Sequence, residues 1–258
     1  MLSLKTLAYL HPFRRSPTRS PRPRPSFPVS RISFSSSNTT MPLIPIVDHI
    51  VLFKVRDSTD PSKIETMITN LRSLISLDLA TFLTAGPILR SRSAAAEDFG
   101  FTHLLYSRYR TKADLAAYSG HPSHLTVVKE NVFPICDDIM AVDWAAEVDV
   151  DVAPSPGSLV RLTLAKPQEG IAGVEVVRSI DGVRAFVPDS VRVSYGENIS
   201  PERAKGYEVG FISVFSGEDE ADAIEGKEEV EKQKEKLRAS LLLIIWFLPL
   251  FPPSDGTT

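Results

Sequence analysis

The chain has 258 residues, which is enough for one large domain or two small ones. Its apolar fraction of 43% and charged fraction of 24% are those of an ordinary globular protein, and a net charge of −3 provides no overall basic field for nucleic acid. The single cysteine, Cys136, excludes an internal disulfide and a cysteine-based zinc site, so we expect it to be a small buried hydrophobic residue.

Residues 1–41 differ from the rest of the chain in charge and composition. They contain no acidic residue, are rich in Ser, Thr and Pro, and carry the basic residues Lys5, Arg14, Arg15, Arg19, Arg22, Arg24 and Arg31. This composition is typical of an organelle transit peptide, which has too few apolar residues to bury a core. We therefore predict a disordered leader that directs import into plastids, with a peroxisomal or cytosolic address as the alternatives.

Residues 44–148 predict the order strand, helix, strand, strand, helix, strand. The first strand, "IPIVDHIVLFKVR", is rich in β-branched residues, and Asp60 and Pro61 suit the cap and first position of the next helix. That helix, "SKIETMITNLRSLISL", places its apolar residues on one face. The segments "ATFLTAGPILRS", "FTHLLYSRYR" and "DIMAVDWAAEV" predict the later strands, and "KADLAAYSG" and "PSHLTVVKENVF" predict helical pieces.

The composition of residues 149–157, "DVDVAPSPG", predicts a linker, and residues 158–248 repeat the same order of elements. The last strand of this second half is predicted from "LLLIIWFL", which is far shorter than the ~20 residues of a membrane-spanning helix. We therefore expect no transmembrane segment. Residues 249–258 are predicted to be a tail.

Both halves thus have the βαββαβ order of a ferredoxin-like unit, which is an α+β fold. The first strand is apolar on both faces, since His49, Val51 and Phe53 alternate with Ile50 and Leu52. A sheet covered by helices on one face needs a second apolar partner on the other. We therefore predict two antiparallel sheets packed face to face with helices outside. The sheets belong to the two halves of one chain, to a homodimer, or to both.

The segment "YSGHPSH" contains three polar aromatic residues around a predicted helix break. Tyr118 and His124 are six residues apart, so they lie some 120° apart on a straight helix. Gly120 weakens the helix, and Pro122 disfavours the helical conformation at His121 while suiting the first turn of a new helix. We predict that the break turns Tyr118 and His124 toward one cavity.

Several of these segments together resemble the stress-responsive dimeric α/β-barrel (Dabb) family of plants. The matching residues in the first half are "VDHIVLFKVRD", "GP" at 86–87, "FTHLLYSRY", "LAAYSGHPSH" and "MAVDW", and in the second half "SYGENISPERAKGYEVGFISVF" and "QKEKLR". The second half resembles the second domain of tandem two-barrel members. After Arg238 an apolar run with prolines replaces the alternating strand that the family has there.

The resemblance implies a site but leaves its role open. A related cyclase implies that Tyr118 holds a substrate carbonyl and His124 acts as the base. A pocket is expected to be lined by His49, Val51, Leu52, Leu71, His121, Leu125 and Trp144. Three interpretations stay open: a catalytic pair, a ligand pocket without catalysis, and a structural polar seam between two helices.

Metal binding is expected to play at most a small part. His49, His103, His121 and His124 match no zinc spacing, and no carboxylate is expected to join them. The family resemblance implies a Mg²⁺ site at the end of the first helix, made by the main-chain carbonyls of Arg72, Ile75 and Asp78. Unpaired carbonyls and a partly negative helix end make such a site physically reasonable.

The sequence favours a non-enzymatic stress-response barrel that binds a small apolar ligand or a protein partner, with no nucleic acid and no membrane. The reason is that the second half has no histidine, so any chemistry is expected to reside in the first half. The alternative is an enzyme resembling a polyketide cyclase or a cofactor-free monooxygenase, with Tyr118 and His124 at its centre.

Overall fold

The structure is a computed structural model, and it describes residues 44–148, 153–167, 172–184, 187–225 and 240–247, together with the single positions 170, 227, 228 and 232. The predicted leader of residues 1–41, the tail of residues 249–258 and residues 149–152 of the predicted linker lie outside the described residues. Of the second helix predicted for residues 158–248, the structure describes Glu218–Glu225.

The first half contains four strands and four helices in nearly the predicted order. Asp60 caps the first helix by accepting a hydrogen bond from the Ser62 amide at 2.8 Å, as predicted. The short helix α2 was not predicted. The elements are β1 (Ile44–Val55), α1 (Pro61–Ser73), β2 (Phe82–Ser91), α2 (Ala94–Phe99), β3 (His103–Tyr109), α3 (Lys112–Ser119), α4 (Pro122–Val127) and β4 (Cys136–Val148).

The second half repeats this arrangement with one helix between its first two strands. Its closing strand is the apolar run after Arg238, so the departure from an alternating pattern did not abolish the strand. The elements are β5 (Leu159–Pro167), α5 (Gly173–Arg184), β6 (Arg192–Glu197), β7 (Val209–Phe215), α6 (Glu218–Glu225) and β8 (Ser240–Phe247).

The eight strands form one antiparallel sheet in the order β4-β1-β3-β2-β8-β5-β7-β6. Each half contributes four strands in the ferredoxin-like order, β4-β1-β3-β2 in the first half and β8-β5-β7-β6 in the second. The halves join where β2 pairs with β8. The outer strands β4 and β6 meet again through a bridge between Trp144 and Asn198, which brings the sheet round on itself. The predicted α+β fold of two ferredoxin-like units is confirmed. The pairing takes place within the chain, and a homodimer stays a prediction.

The core consists of a barrel interior, where the strands of the two halves face each other, and one sheet-to-helix layer in each half. The interior combines residues of both halves, among them Ile50, Leu52, Tyr106, Met140, Val142, Trp144, Val160, Leu162, Ile212 and Val214. The layer under the helices of the first half contains Val51, Phe53, Met67, Leu71, Leu105 and Tyr118. The strands are therefore apolar on both faces because each face packs against a different layer.

Cys136 is buried and unpaired, and burial raises the pKa of its thiol to about 12, so it is the inert apolar residue that was expected. Asp48 and Arg108 form a buried ion pair inside the barrel, with Nε and Oδ1 2.9 Å apart. No helix in the described part of the chain is long and apolar enough to cross a membrane.

The seam between the halves depends on glycines that face the indole of Trp144. A Cβ atom on Gly210 of β7 would overlap the six-membered ring of this indole, which is fully buried. On Gly196 of β6, a Cβ atom would lie 2.8 Å from the carbonyl oxygen of Ala145. Both glycines are therefore required by close approach of another part of the chain.

We predict that Gly210→Ala lowers the free energy of unfolding by ~1–3 kcal/mol, because the buried indole must move away from its packed position. Gly217→Ala is the matched control, because a Cβ atom there meets nothing within 4 Å. The measurement is equilibrium unfolding in urea. Equal stability of the two variants would show that Trp144 does not pack against β7.

Candidate functional site

The helix break in "YSGHPSH" is present at the predicted place. Helix α3 ends at Ser119, His121 has an extended conformation with φ −68° and ψ 135°, and Pro122 begins α4. His121 caps α4, since its Nδ1 accepts a hydrogen bond from the Ser123 amide at 3.2 Å. The change of direction brings the rings of Tyr118 and His124 to a centroid distance of 4.7 Å.

These two rings line a cavity between the outer face of the first half's sheet and its helices. After α4 the chain makes one π-helical turn at Val128–Val132, and both end residues of that turn line the cavity. Such turns are frequent at functional sites. The empty space in the cavity and in the open solvent at its mouth together amounts to about 520 Å³. Its walls are His49, Val51, Phe53, Leu71, Leu105, Tyr118, Ser119, His124, Val128, Val132, Phe133, Ile139 and Arg203.

His49 reaches the cavity as half of a buried pair with Asp143. The two residues lie directly opposite each other in the antiparallel register of β1 and β4, so their side chains project from the same face of the sheet. His49 Nδ1 is 2.5 Å from Asp143 Oδ1, and the two residues are 4% and 0% exposed. The carboxylate therefore fixes the orientation of the imidazole, as in other carboxylate–histidine pairs.

The other oxygen of Asp143 binds residues of the second half. Ser200 Oγ donates to Asp143 Oδ2 at 2.5 Å, and Arg203 Nη2 donates to the same oxygen. Arg203 Nη2 also donates to Ser200 Oγ at 2.9 Å. These residues reach β4 because the loop after β6 begins at Asn198, the residue that bridges to Trp144. One buried carboxylate thus links the first half's histidine to the second half's arginine.

Asp143 is ionised despite its burial. Loss of solvent alone would raise the pKa of its carboxyl group, but the neighbouring His49 and Arg203 and the hydrogen bonds from His49 and Ser200 offset this effect. The balance lowers the pKa below its ordinary value. Because an ionised carboxylate only accepts hydrogen bonds, Nδ1 of His49 carries a proton.

The hydroxyl of Tyr118 is buried and has no hydrogen-bond partner among the described residues. Burial raises the pKa of this group well above its ordinary value, so it is a neutral O–H donor at neutral pH. The hydroxyl of Tyr109 offsets part of that rise, but it does not meet the geometry of a hydrogen bond to Tyr118. The residue as a whole is 1% exposed.

His124 has one fixed nitrogen and one available nitrogen. Its Nδ1 lies 3.1 Å from the carbonyl oxygen of Ser119, which only accepts, so Nδ1 carries the proton. Burial is the main reason that the pKa of this imidazole falls to about 4, with smaller contributions from His49 and Arg203. At neutral pH the ring is therefore uncharged, and Nε2 has a lone pair available to the cavity.

The structure places the predicted site residues in three groups. Tyr118, His124, His49, Val51 and Leu71 come together at the cavity. Leu52 and Trp144 do not line it, because both point into the barrel interior on the opposite face of the sheet, and this part of the prediction is corrected. His121 and Leu125 are half-buried beside the cavity without lining it, and His103 bonds instead to Thr102.

The sequence analysis missed Asp143, Ser200 and Arg203. The expectation that no carboxylate joins the histidines is wrong. The second half also contributes a side chain, Arg203, to the cavity wall, while the expectation that any chemistry resides in the first half stays a prediction. The available signal was the lone charge of Asp143 among the apolar residues of "MAVDW". No pattern within the second half indicates that Arg203 contacts β4.

A metal has no evident side-chain site here. The described residues contain no cluster of three or more His, Cys, Asp or Glu side chains placed to hold a metal ion. At the end of α1, the carbonyl of Arg72 accepts a hydrogen bond from the Leu74 amide, and that of Ile75 accepts one from Asp78 at 3.1 Å. Each carbonyl oxygen retains one lone pair, and nothing in their arrangement selects Mg²⁺, so this site stays a prediction.

Comparison with known proteins gives relatives for most of the chain. The family model described as the stress responsive A/B barrel domain matches residues 47–146. A solved structure from Fusobacterium nucleatum, described as that of a candidate monooxygenase, superposes with a TM-score of 0.52 and covers 82% of this chain and 95% of its own. At 10% identity it shows the fold alone.

Two proteins of Arabidopsis thaliana, both described as stress-response A/B barrel domain-containing proteins, are similar over both halves. The first is 45% identical over 213 residues, which are 81% of this chain and 80% of that protein. The second is 38% identical over 195 residues, which are 75% of this chain and 90% of that protein. With the barrel, the helix break and the family model in agreement, the chain belongs to the stress-response A/B barrel domain proteins.

Proposed function

We propose that this protein binds a small, mainly apolar molecule in the cavity of its first half, through an oxygen atom that accepts a hydrogen bond from Tyr118. The observation that carries this proposal is the buried hydroxyl of Tyr118, for which the described residues provide no hydrogen-bond partner. A buried hydroxyl without a partner costs ~1–3 kcal/mol, and a ligand oxygen that accepts its hydrogen bond would remove that cost. The apolar walls and the narrow space of the cavity suit a small apolar body.

A second candidate function is proton transfer to or from the bound molecule. It is favoured by His124, whose Nε2 has a free lone pair at neutral pH and whose ring lies beside that of Tyr118. In this reaction class Nε2 takes a proton from carbon or oxygen of the substrate while Tyr118 donates a hydrogen bond to the adjacent carbonyl. The pair His49–Asp143 would hold the other side of the cavity in place.

We predict that Tyr118→Phe weakens binding without destabilising the protein. The hydroxyl has no partner to lose, so the free energy of unfolding should stay the same or rise by up to ~1 kcal/mol. Tyr109→Phe is the matched control, because the Tyr109 hydroxyl lies 3.1 Å from Ser107 Oγ and its loss should cost ~1 kcal/mol.

The measurement combines urea unfolding with mass spectrometry of small molecules extracted from the purified variants. Wild type and Tyr109→Phe should retain a copurifying molecule that Tyr118→Phe has lost. The proposal fails if Tyr118→Phe is the less stable variant and retains the same molecules, because Tyr118 would then be part of a structural seam.

We predict a loss of stability between about pH 6.5 and pH 4 that depends on His124. An ordinary histidine has a pKa near 6.5, and in the fold this pKa is about 4, so the unfolded chain binds more protons in this range. The contribution of His124 to the free energy of unfolding is therefore complete above pH 6.5, and it falls by ~3 kcal/mol as the pH approaches 4. His103, whose pKa burial also lowers, adds a loss of the same sign.

His124→Asn isolates the part due to His124, because an amide can still donate to the Ser119 carbonyl but does not titrate. Melting temperatures of both proteins across this range give the test. The melting temperature of the variant should fall less steeply than that of wild type. Parallel curves would mean that His124 is not buried in its neutral form.

For localisation we propose that residues 1–41 direct import into plastids, on the strength of their basic, hydroxylated and acid-free composition. Fusion of residues 1–45 to a fluorescent protein in leaf cells should give a signal that overlaps chlorophyll autofluorescence. A control fusion with the leader arginines replaced by glutamine should stay in the cytosol. Diffuse fluorescence from the unaltered fusion would refute the proposal.

A further inference from the structure

The cavity has a single permanently charged side chain among the described residues that line it, and that side chain comes from the second half. Arg203 lies in the loop between β6 and β7, and its side chain is 14% exposed. Of its three nitrogens, Nη2 makes the bonds to Asp143 and Ser200. Nε and Nη1 make no hydrogen bond to the described residues, so the guanidinium retains donors that a ligand can use.

The counter-ion of Arg203 projects from the same face of the sheet as His49 but lies outside the cavity walls. Asp143 is fully buried and is absent from the cavity walls, and both of its oxygens already accept hydrogen bonds. A molecule in the cavity therefore meets the guanidinium and not the carboxylate. The polar residues that line the cavity are Tyr118, Ser119, Arg203 and the two histidines, and none of them is anionic.

We infer that Arg203 determines the specificity of the cavity, and that the ligand carries a carboxylate on a small apolar body. This inference rests on the proposed function and adds the charge of the ligand to it. Arg203 binds one carboxylate oxygen through its free N–H groups, while Tyr118 donates to the same group or to an oxygen next to it. A hydrogen bond with a charged partner is stronger than a neutral one, so the charge should govern selection.

The experiment uses two probes with the same alkyl chain, the anion octanoate and the neutral amide octanamide, titrated into the full-length protein at neutral pH by calorimetry. Wild type should bind octanoate ~10-fold or more tightly than octanamide. Arg203→Met should lower the affinity for octanoate to that for octanamide and leave the affinity for octanamide within about 3-fold of wild type. Added salt should weaken the binding of octanoate to wild type and leave octanamide unaffected.

Lys205→Met is the matched control. Lys205 is two residues further along the same loop and also forms an ion pair across the halves, with Asp138 at 2.8 Å, but it does not line the cavity. This variant should keep the preference for octanoate. Arg203→Lys retains the positive charge and should keep part of the preference, which provides a second test if the methionine variant does not fold.

The outcomes separate this inference from the proposed function. If wild type binds both probes equally, or if added salt leaves the affinity for octanoate unchanged, the inference is overturned and the apolar cavity remains. If Arg203→Met or Arg203→Lys loses both probes to the same extent, Arg203 has a structural role only, and the inference is again overturned. If neither probe binds wild type at concentrations up to about 10 mM, the proposed function fails together with the inference.

Discussion

The site depends on one buried carboxylate, Asp143, whose two oxygens are shared between the halves of the chain. A charge with no exposure to solvent is tolerated only where its hydrogen bonds and counter-charges are complete. His49 supplies one partner from the neighbouring strand, and Ser200 and Arg203 supply the others from the second half. Asp143 therefore couples three features of the structure. These are the position of the His49 imidazole, the closure of the barrel at β4 and β6, and the placement of Arg203.

This coupling gives a physical reason for a tandem chain in which one half lacks histidines. The second half has no histidine, yet its loop after β6 supplies the guanidinium at the first half's cavity. The seam that positions this loop is built from close contacts, in which glycines of β6 and β7 accommodate Trp144 and a short bridge joins Asn198 to β4. Loss of the histidines in one half is thus compatible with a role for that half in binding.

The fold was predictable from the sequence because its signals are local. The apolar faces of β1, the cap at Asp60, and the break at Gly120 and Pro122 each follow from neighbouring residues and backbone conformation.

The site was predictable only in part. The convergence of Tyr118 and His124 is a local consequence of the break, but Asp143 meets His49 through strand register and Arg203 meets Asp143 through barrel closure, and both contacts span distant parts of the chain. Leu52 and Trp144 were assigned to the wrong face of the sheet, because the cavity lies under the helices and not in the barrel interior.

The central claim is that both halves complete one ligand-binding cavity, and a crystal structure of the full chain with octanoate tests it most directly. The account predicts density for the carboxylate in this cavity, with its oxygens about 3 Å from the Tyr118 hydroxyl and from Arg203 nitrogens, and an alkyl chain against Val51 and Leu71. Density for the probe at another place, with the Tyr118 hydroxyl bonded to a protein group instead, would contradict the account.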